Sequence, residues 1–280
     1  MTAIRLLSWN IHGRDEPWRQ LDADDSIDVA LLQEAKAPPP GLHVAVVGAE
    51  GPWETSGWER RAFRSIVVRC SDRVELVPEP AVRPIGLAGP GDLAVSRLGT
   101  LAVVKVVPPE GRSFTVASAY APWERPVPRV EGGWIYADAS AHRLVSDLSA
   151  LVATQREHRI LVAGDWNILH CYGEGGSPYW GNRYRTVFER LEALGLRFVG
   201  PQQPDGVPAK PRPEELPNGS KDVPTFRTNE IDPASGQRQL DFVFASTSIS
   251  DQIVKVAALN GPDEWGASDH CRVVIDVRVD

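Results

Sequence analysis

Five short stretches of this 280-residue chain end or open an apolar run with a polar group suited to binding a cation or moving a proton. Ile4-Arg-Leu-Leu-Ser-Trp-Asn10 ends on an amide, Val29-Ala-Leu-Leu-Gln-Glu34 on a carboxylate, and Leu161-Val-Ala-Gly-Asp165-Trp-Asn167 on both. Asp241 opens the run Leu240–Phe244, and Asp269 and His270 precede the last run, Arg272–Val279. Four acids gathered in one place repel strongly without a cation. Hard oxygen donors of this kind suit Mg²⁺ or Mn²⁺, with water and a phosphate completing the shell. Asp165 and Asn167 are two apart, so an extended segment turns both to one side and Trp166 to the other. His270 is the only histidine inside these motifs; beside a carboxylate, it can stay charged to stabilise a phosphorane or protonate a leaving group.

Such groups converge only if neighbouring strands end together, which the strand spacing of about 4.8 Å allows. The chain supplies the strands. Runs rich in Val, Ile and Leu occupy Ile4–Trp9, Val29–Leu32, His43–Val47, Ile66–Val68, Leu101–Val107, Phe114–Ala119, Ile160–Ala163, Leu240–Ala245, Ile253–Ala257 and Arg272–Val279. Most are bounded by Gly, Pro, Asp or Asn, as strands are. Helical periodicity marks Asp138–Gln155 and Arg185–Leu194. The pair Leu101–Val107 and Phe114–Ala119 flanks a Pro-Pro-Glu-Gly turn and reads as a hairpin, so the layering is mixed α/β and largely antiparallel. The proline-rich stretch at about 201–224 separates candidate site residues that belong together. It reads as a surface loop within a single domain over 1–280 rather than as a linker.

In this order, Ser-Trp-Asn10-Ile-His-Gly, Leu-Leu-Gln-Glu34, Gly-Asp165-Trp-Asn167, Leu-Asp241-Phe-Val-Phe and Ser-Asp269-His270-Cys resemble the endonuclease/exonuclease/phosphatase superfamily, with its DNase I-like fold. The resemblance spans almost the whole chain. It implies a four-layered α/β-sandwich, two packed and mainly antiparallel sheets flanked by helices, with the site at one end. It implies Glu34 as principal metal ligand, helped by Asn10 and Asp269. Asp165 would orient or deprotonate the attacking water, Asn167 would hold a phosphate oxygen, and Asp241 with His270 would contact the scissile phosphate. These roles meet the demands of phosphodiester hydrolysis: a Lewis acid, an aligned water and donors aimed at developing charge. Tyr120, closing Ser-Ala-Tyr120-Ala-Pro, is similar to the exonuclease III and AP-endonuclease branch, where other branches carry His. That inclines the expected substrate toward DNA or RNA, with endo- or exo-action left open.

All five tyrosines lie between positions 120 and 184, among Trp123, Trp134 and Trp180 and beside Arg125, Arg129, Arg183 and Arg185. Aromatics interleaved with Arg next to a phosphate-cleaving centre suit base stacking and phosphate pairing, which makes Trp123, Arg125, Tyr172, Trp180 and Arg183 candidate substrate contacts. Equally, such side chains pin long loops onto a sandwich. Trp58–Arg64 is a second basic-aromatic patch that a charged strand edge explains as well. His12 follows Asn10 closely enough to line the site, while His43, His142, His158 and His170 read as surface or packing residues.

Composition bounds the rest. At 42% hydrophobic and 24% charged residues the chain falls in the globular range, and its net charge of −7 argues against attachment to nucleic acid by global charge. The first ten residues carry no secretory signal, and no apolar run reaches the ~18 residues of a membrane span, so a cytoplasmic, non-membrane protein is expected. Cys70, Cys171 and Cys271 are odd in number and widely spaced, which reads as reduced thiols without soft-metal spacing. Two rivals to a metal-dependent nuclease stand: a phosphatase or phosphodiesterase of the same superfamily acting on a lipid, inositol phosphate or nucleotide, and a silent binding module that keeps the sandwich. Occupation of every expected polar position argues against the module.

Overall fold

The computed structural model describes residues 2–48, 53, 55–56, 60–61, 63–124, 137–153, 158–172, 175–229 and 232–279. In chain order, the strands of its two main sheets are β1 (Thr2–Asn10), β2 (Val29–Ala35), β3 (Ala45–Val47), β4 (Arg64–Arg69), β5 (Glu75–Val77), β6 (Leu101–Val107), β7 (Phe114–Tyr120), β8 (Ile160–Asp165), β9 (Leu196–Gly200), β10 (Asp241–Ser246), β11 (Ile253–Leu259) and β12 (Arg272–Val279). Each sheet has six strands, in the orders β11-β12-β1-β2-β4-β3 and β9-β10-β8-β7-β6-β5. Neighbours are antiparallel except at the centre, where β1 pairs with β2 and β7 with β8 in parallel. A parallel pair needs a crossover between its members. The helices α1 (Glu16–Asp22) and α2 (Ala137–Ala153) lie in these two connections, and α3 (Pro178–Ala193) follows β8.

Alternation along the strands builds the layers. Ile4 and Leu6 of β1, Val29 and Leu31 of β2, Phe114 and Val116 of β7, Leu161 and Ala163 of β8, Val243 and Ala245 of β10, and Val273, Ile275 and Val277 of β12 meet in the core between the sheets. The residues between them face outward. Leu7, Ala30 and Leu32 pack with Trp18 and Leu21 of α1; Ala117, Val162, Phe242 and Phe244 pack with Leu144, Leu148 and Leu151 of α2 and Val187 and Leu191 of α3. The molecule is an α/β-sandwich of two sheets with helices on their outer faces.

Four elements differ from the expectation drawn from periodicity. Helix α1 has only seven residues, too few for a repeat, and holds its place by burying Trp18 and Leu21, each contributing roughly 1.5–3 kcal/mol. Helix α3 begins at Pro178, seven residues before the apolar repeat does, because its first turns carry polar and aromatic side chains. Strands β5 and β9 are short and only partly buried. The proline-rich stretch has no helix or strand before Phe226. It is tied down by Gln203 N–H to Lys221 O (2.8 Å), Gln239 Nε2 to Pro201 O (2.9 Å) and Val207 N–H to Asn260 Oδ1 (2.8 Å). No helix among the described residues is long and apolar enough to cross a membrane.

Candidate active site

Both parallel pairs end at the same edge of the sandwich, and their antiparallel neighbours β10 and β12 begin there. The polar strand ends are thereby brought together. Parity decides which face they take: Asn10 continues the inward series of Ile4 and Leu6, Tyr120 that of Phe114 and Val116, Asp165 that of Leu161 and Ala163, and Asp241 that of Val243 and Ala245. In register, Tyr120 lies beside Asp165 and Asp165 beside Asp241. Gly164 makes this spacing attainable, since a Cβ on it would stand 1.8 Å from the Ala119 carbonyl oxygen.

Glu34 departs from parity. Strict alternation would turn it outward with Leu32, but the pairing of β2 with β4 shifts register between Leu32 and Ala35, and Glu34 takes a left-handed backbone at φ 49°. This bulge swings its carboxylate to the site. There Glu34 Oε1 accepts the Tyr120 hydroxyl (2.7 Å) and an Asn10 Nδ2 proton (3.3 Å). His12 and Asn167 share the left-handed conformation, at φ 51° and 50°. Such backbone is uncommon for non-glycine residues and clusters where side-chain placement matters.

Asn10 links the two sheets. Its Nδ2 also donates to Asp165 Oδ2 (3.0 Å), and its Oδ1 accepts the His12 N–H (3.0 Å). Asp165 receives two further bonds from Asn167, through the backbone N–H (3.0 Å) and through Nδ2 (2.9 Å). His270 sits between two buried acids, with Nδ1 2.8 Å from Asp241 Oδ2 and Nε2 3.8 Å from Asp165 Oδ2. Burial alone would discharge this imidazole, yet the carboxylates of Asp241 and Asp165 outweigh it and push His270 up to about 10. Asp165 is pushed up to about 8, first by burial and then by the charges of Asp241 and Glu34, against the opposing pull of His270.

The frame around these groups contains residues the motifs did not single out. Thr225 Oγ1 accepts the backbone N–H of both Leu240 (2.9 Å) and Asp241 (3.0 Å), fixing the start of β10. Ser268 Oγ donates to Asn10 O (2.7 Å), and Trp9 Nε1 donates to His270 O (2.9 Å), locking the segment before β12 onto β1. Arg227 donates to Ser268 O (2.8 Å). Ser268 and Trp9 lie inside quoted motifs, but nothing in spacing or periodicity marks Thr225 or Arg227. His12 is at the rim, with Nδ1 2.8 Å from Asp269 Oδ2.

Of the candidate substrate contacts, Trp123 is at the site: its Nε1 donates to Asn167 Oδ1 at 2.6 Å while half of the residue (50%) remains exposed. Arg183 donates to Asp138 Oδ2 at 2.6 Å, tying α3 to α2, and its guanidinium lies over the Tyr179 and Trp180 rings. Trp180 stacks with Tyr184, and Tyr172 meets Tyr184 edge-on. Arg125, with Arg129, Trp134, Tyr136 and Trp58, lies outside the described residues.

The donor chemistry fits a hard divalent cation. Glu34 and Asp269 supply carboxylates and Asn10 an amide oxygen, and burial, followed by the charges of Asp241 and Glu34, pushes the Asp165 carboxyl up, a penalty on negative charge that a cation would offset. The trio of potential ligand atoms that the site itself brings together among the described residues is instead Asp165, Asp241 and His270. A protonated imidazole is a poor ligand, however, so that trio reads as a proton-handling and oxygen-contacting set.

The sequence profile of the Endonuclease/Exonuclease/phosphatase family matches residues 7–270. Among solved structures, the chain is similar to the endonuclease domain of TRAS1, a telomere-specific non-LTR retrotransposon, with a TM-score of 0.63, 16% identity and 99% of each chain covered. It is also similar to the AP endonuclease LMAP from Leishmania major, with a TM-score of 0.61, 17% identity and coverage of 99% of this chain and 88% of that one. No curated protein matches the sequence. With the site at the shared strand ends and a family profile that runs from β1 to His270, the chain belongs to the Endonuclease/Exonuclease/phosphatase family.

Proposed function

We propose that this protein is a Mg²⁺- or Mn²⁺-dependent phosphodiester hydrolase acting on nucleic acid, most simply as an endonuclease. The observation that carries the reading is the placement of Asp165. It is a buried carboxylate whose Oδ2 accepts from Asn10 and Asn167, with Nε2 of the Asp241-bonded His270 3.8 Å from the same oxygen. A carboxylate fixed this way can align a water and take its proton, while the charged His270 offers Nε2–H to the phosphoryl oxygens as negative charge develops; Asn167 Nδ2, bonded to Asp165 Oδ2 and Ala121 O, would hold a phosphate oxygen by giving up one of these bonds. Asp241 keeps the imidazole oriented and charged. Tyr120 fixes Glu34 through its hydroxyl. Glu34, Asn10 and Asp269 would hold the cation, which when bound supplies neutralisation of phosphoryl charge.

Two features favour nucleic acid. Trp123 exposes half its surface while bonded to Asn167, where a base can stack on its face. The two structural relatives named above are themselves endonucleases. The test is a substrate panel of bis(p-nitrophenyl)phosphate, duplex DNA, abasic DNA, single-stranded RNA, phosphoinositides and nucleotides, run with Mg²⁺ or Mn²⁺ and with chelator. The expected result is cleavage of a nucleic acid that chelation abolishes. Turnover confined to phosphoinositides or nucleotides would refute the substrate assignment, and no metal-dependent turnover on any member would leave a binding module.

A further inference from the structure

Beyond the strand-end site, the fold assembles a second reactive trio from residues whose spacing in sequence gives no sign of it. Asp222, buried in the proline-rich stretch, is 2.7 Å from His170 Nδ1, and His170 Nε2 lies 3.5 Å from the Cys171 sulfur. The His170 ring is wedged among Phe188, Phe198 and Phe242, which fixes its plane. Cys171 is exposed and has a left-handed backbone at φ 51°. It opens on a cavity of about 500 Å³ whose wall includes Tyr172, Asn182, Arg185 and Phe188. A nucleophile within hydrogen-bond reach of a base that a third group orients is the arrangement of an activated thiol.

We propose that Cys171 is a nucleophilic thiol, set up by His170 and Asp222, at which the protein is modified by thiol–disulfide exchange with small-molecule disulfides. With the thiol proton passed to His170 Nε2, the Cys171 sulfur attacks one sulfur of the disulfide; a new S–S bond forms as the old one breaks, and the departing sulfur takes that proton from His170 Nε2. One thiol and one disulfide enter, and one mixed disulfide and one thiol leave. The adduct lies in the cavity beside α3. Asp222 supports the step by holding Nδ1: hydrogen bonds that the His170 ring donates to Asp222 and Cys171 outweigh burial and push His170 up to about 9. Nε2, 3.5 Å from the Cys171 sulfur, is placed to relay the proton between the attacking and departing sulfurs. Asp222 and Cys171 flank the ring, and Arg185 of α3 is the charged group on the cavity wall. The other cysteines are internal controls. Burial pushes the Cys70 thiol up to about 12, and it raises that of the fully buried Cys271 as well.

The experiment treats the full-length native protein with Ellman's reagent and with oxidised glutathione at mildly acidic pH, maps the adduct by peptide mass, and times it against N-acetylcysteine. Modification is expected first on Cys171, about tenfold or more faster than the reference thiol and declining less steeply with acid. In His170→Gln the rate should fall to the reference, and in Asp222→Asn it should lie between. The wild-type comparison decides the matter even if a variant does not fold. A Cys171 rate no faster than N-acetylcysteine, first modification on Cys70 or Cys271, or an undiminished rate in folded His170→Gln overturns the proposal. So does a Cys171 that reacts only after chelation, since the pair would then be holding a metal.

Discussion

Tyr120 touches Glu34 through a single atom. Its ring is packed beside the core while its hydroxyl is 2.7 Å from Oε1. Tyr120→Phe keeps the packing and removes the donor, so kcat should fall about tenfold, the worth of one charge-assisted hydrogen bond, with the thermal midpoint nearly unchanged. Loss of less than a factor of two would show that Glu34 needs no such support. Asp241→Asn should cost far more, on the order of 10²–10⁴-fold in turnover, because His270 loses the carboxylate that keeps it oriented and charged; steady-state kinetics on a folded variant checks this. Asn10, Tyr120, Asp165, Asp241 and His270 were legible in the sequence because each sits where an apolar run stops or starts. Glu34 was visible as a run-terminal acid, but its route into the site was not. Alternation turns it outward, and only a bulge paired against a strand some thirty residues later turns it in. Thr225 was invisible for a related reason: its partners are backbone N–H groups, which leave no imprint on side-chain patterning.

At the scale of elements, the close approach of β7 and β8 depends on one missing methyl group. Gly164→Ala places a Cβ against the Ala119 carbonyl, and backbone cannot yield as a flexible side chain can. The expected destabilisation is about 3 kcal/mol or more, read by urea unfolding, with Tyr120 and Asp165 displaced because they are paired at the same place. An alanine variant as stable and active as the parent would mean that the two strands can part freely. The proline-rich stretch is anchored by a different device. His170 is raised from 6.5 to about 9 by Asp222 and Cys171 despite burial, so the folded state holds its proton more tightly than the unfolded chain. The pair's stabilisation is therefore fully present below about pH 6.5 and is lost as pH rises through about 9. Urea unfolding of wild type and His170→Gln should show an advantage of about 2 kcal/mol at pH 6 that shrinks toward alkaline pH; an advantage that grew with pH would reverse the assignment. Strong apolar runs made the sheets readable. This clasp was not, because 52 residues separate its partners and neither lies in an apolar repeat.

Seen across the whole molecule, the site is a seam between the two sheets. Asn10 of the first sheet bonds Asp165 of the second (3.0 Å), Tyr120 of the second bonds Glu34 of the first (2.7 Å), and His270, leading into the first, meets Asp241 of the second (2.8 Å). Beneath them, Gln33 Nε2 of β2 donates to Ser118 Oγ of β7 (3.0 Å), whose hydroxyl donates back to Leu32 O (2.9 Å), a polar layer closing the apolar core between the sheets. No half of such a site can work alone. The sheets adhere mainly through buried Val, Leu, Ile and Phe side chains, and that adhesion is non-directional, so the polar pairs fix the alignment that packing leaves loose. Sliding one sheet by one ångström would break all three pairs at once. Activity should therefore persist until the sheets separate and vanish with them: in a urea titration, turnover on bis(p-nitrophenyl)phosphate and the near-ultraviolet circular dichroism of the buried tryptophans Trp9, Trp18, Trp166 and Trp265 should fall at the same midpoint. Gln33→Leu, which removes one of these two cross-sheet bonds and leaves Ser118 without its donor, should move both midpoints down together, by about 1–3 kcal/mol in stability. Activity lost well before the tryptophan signal would place the working geometry in the surface loops rather than in the sandwich.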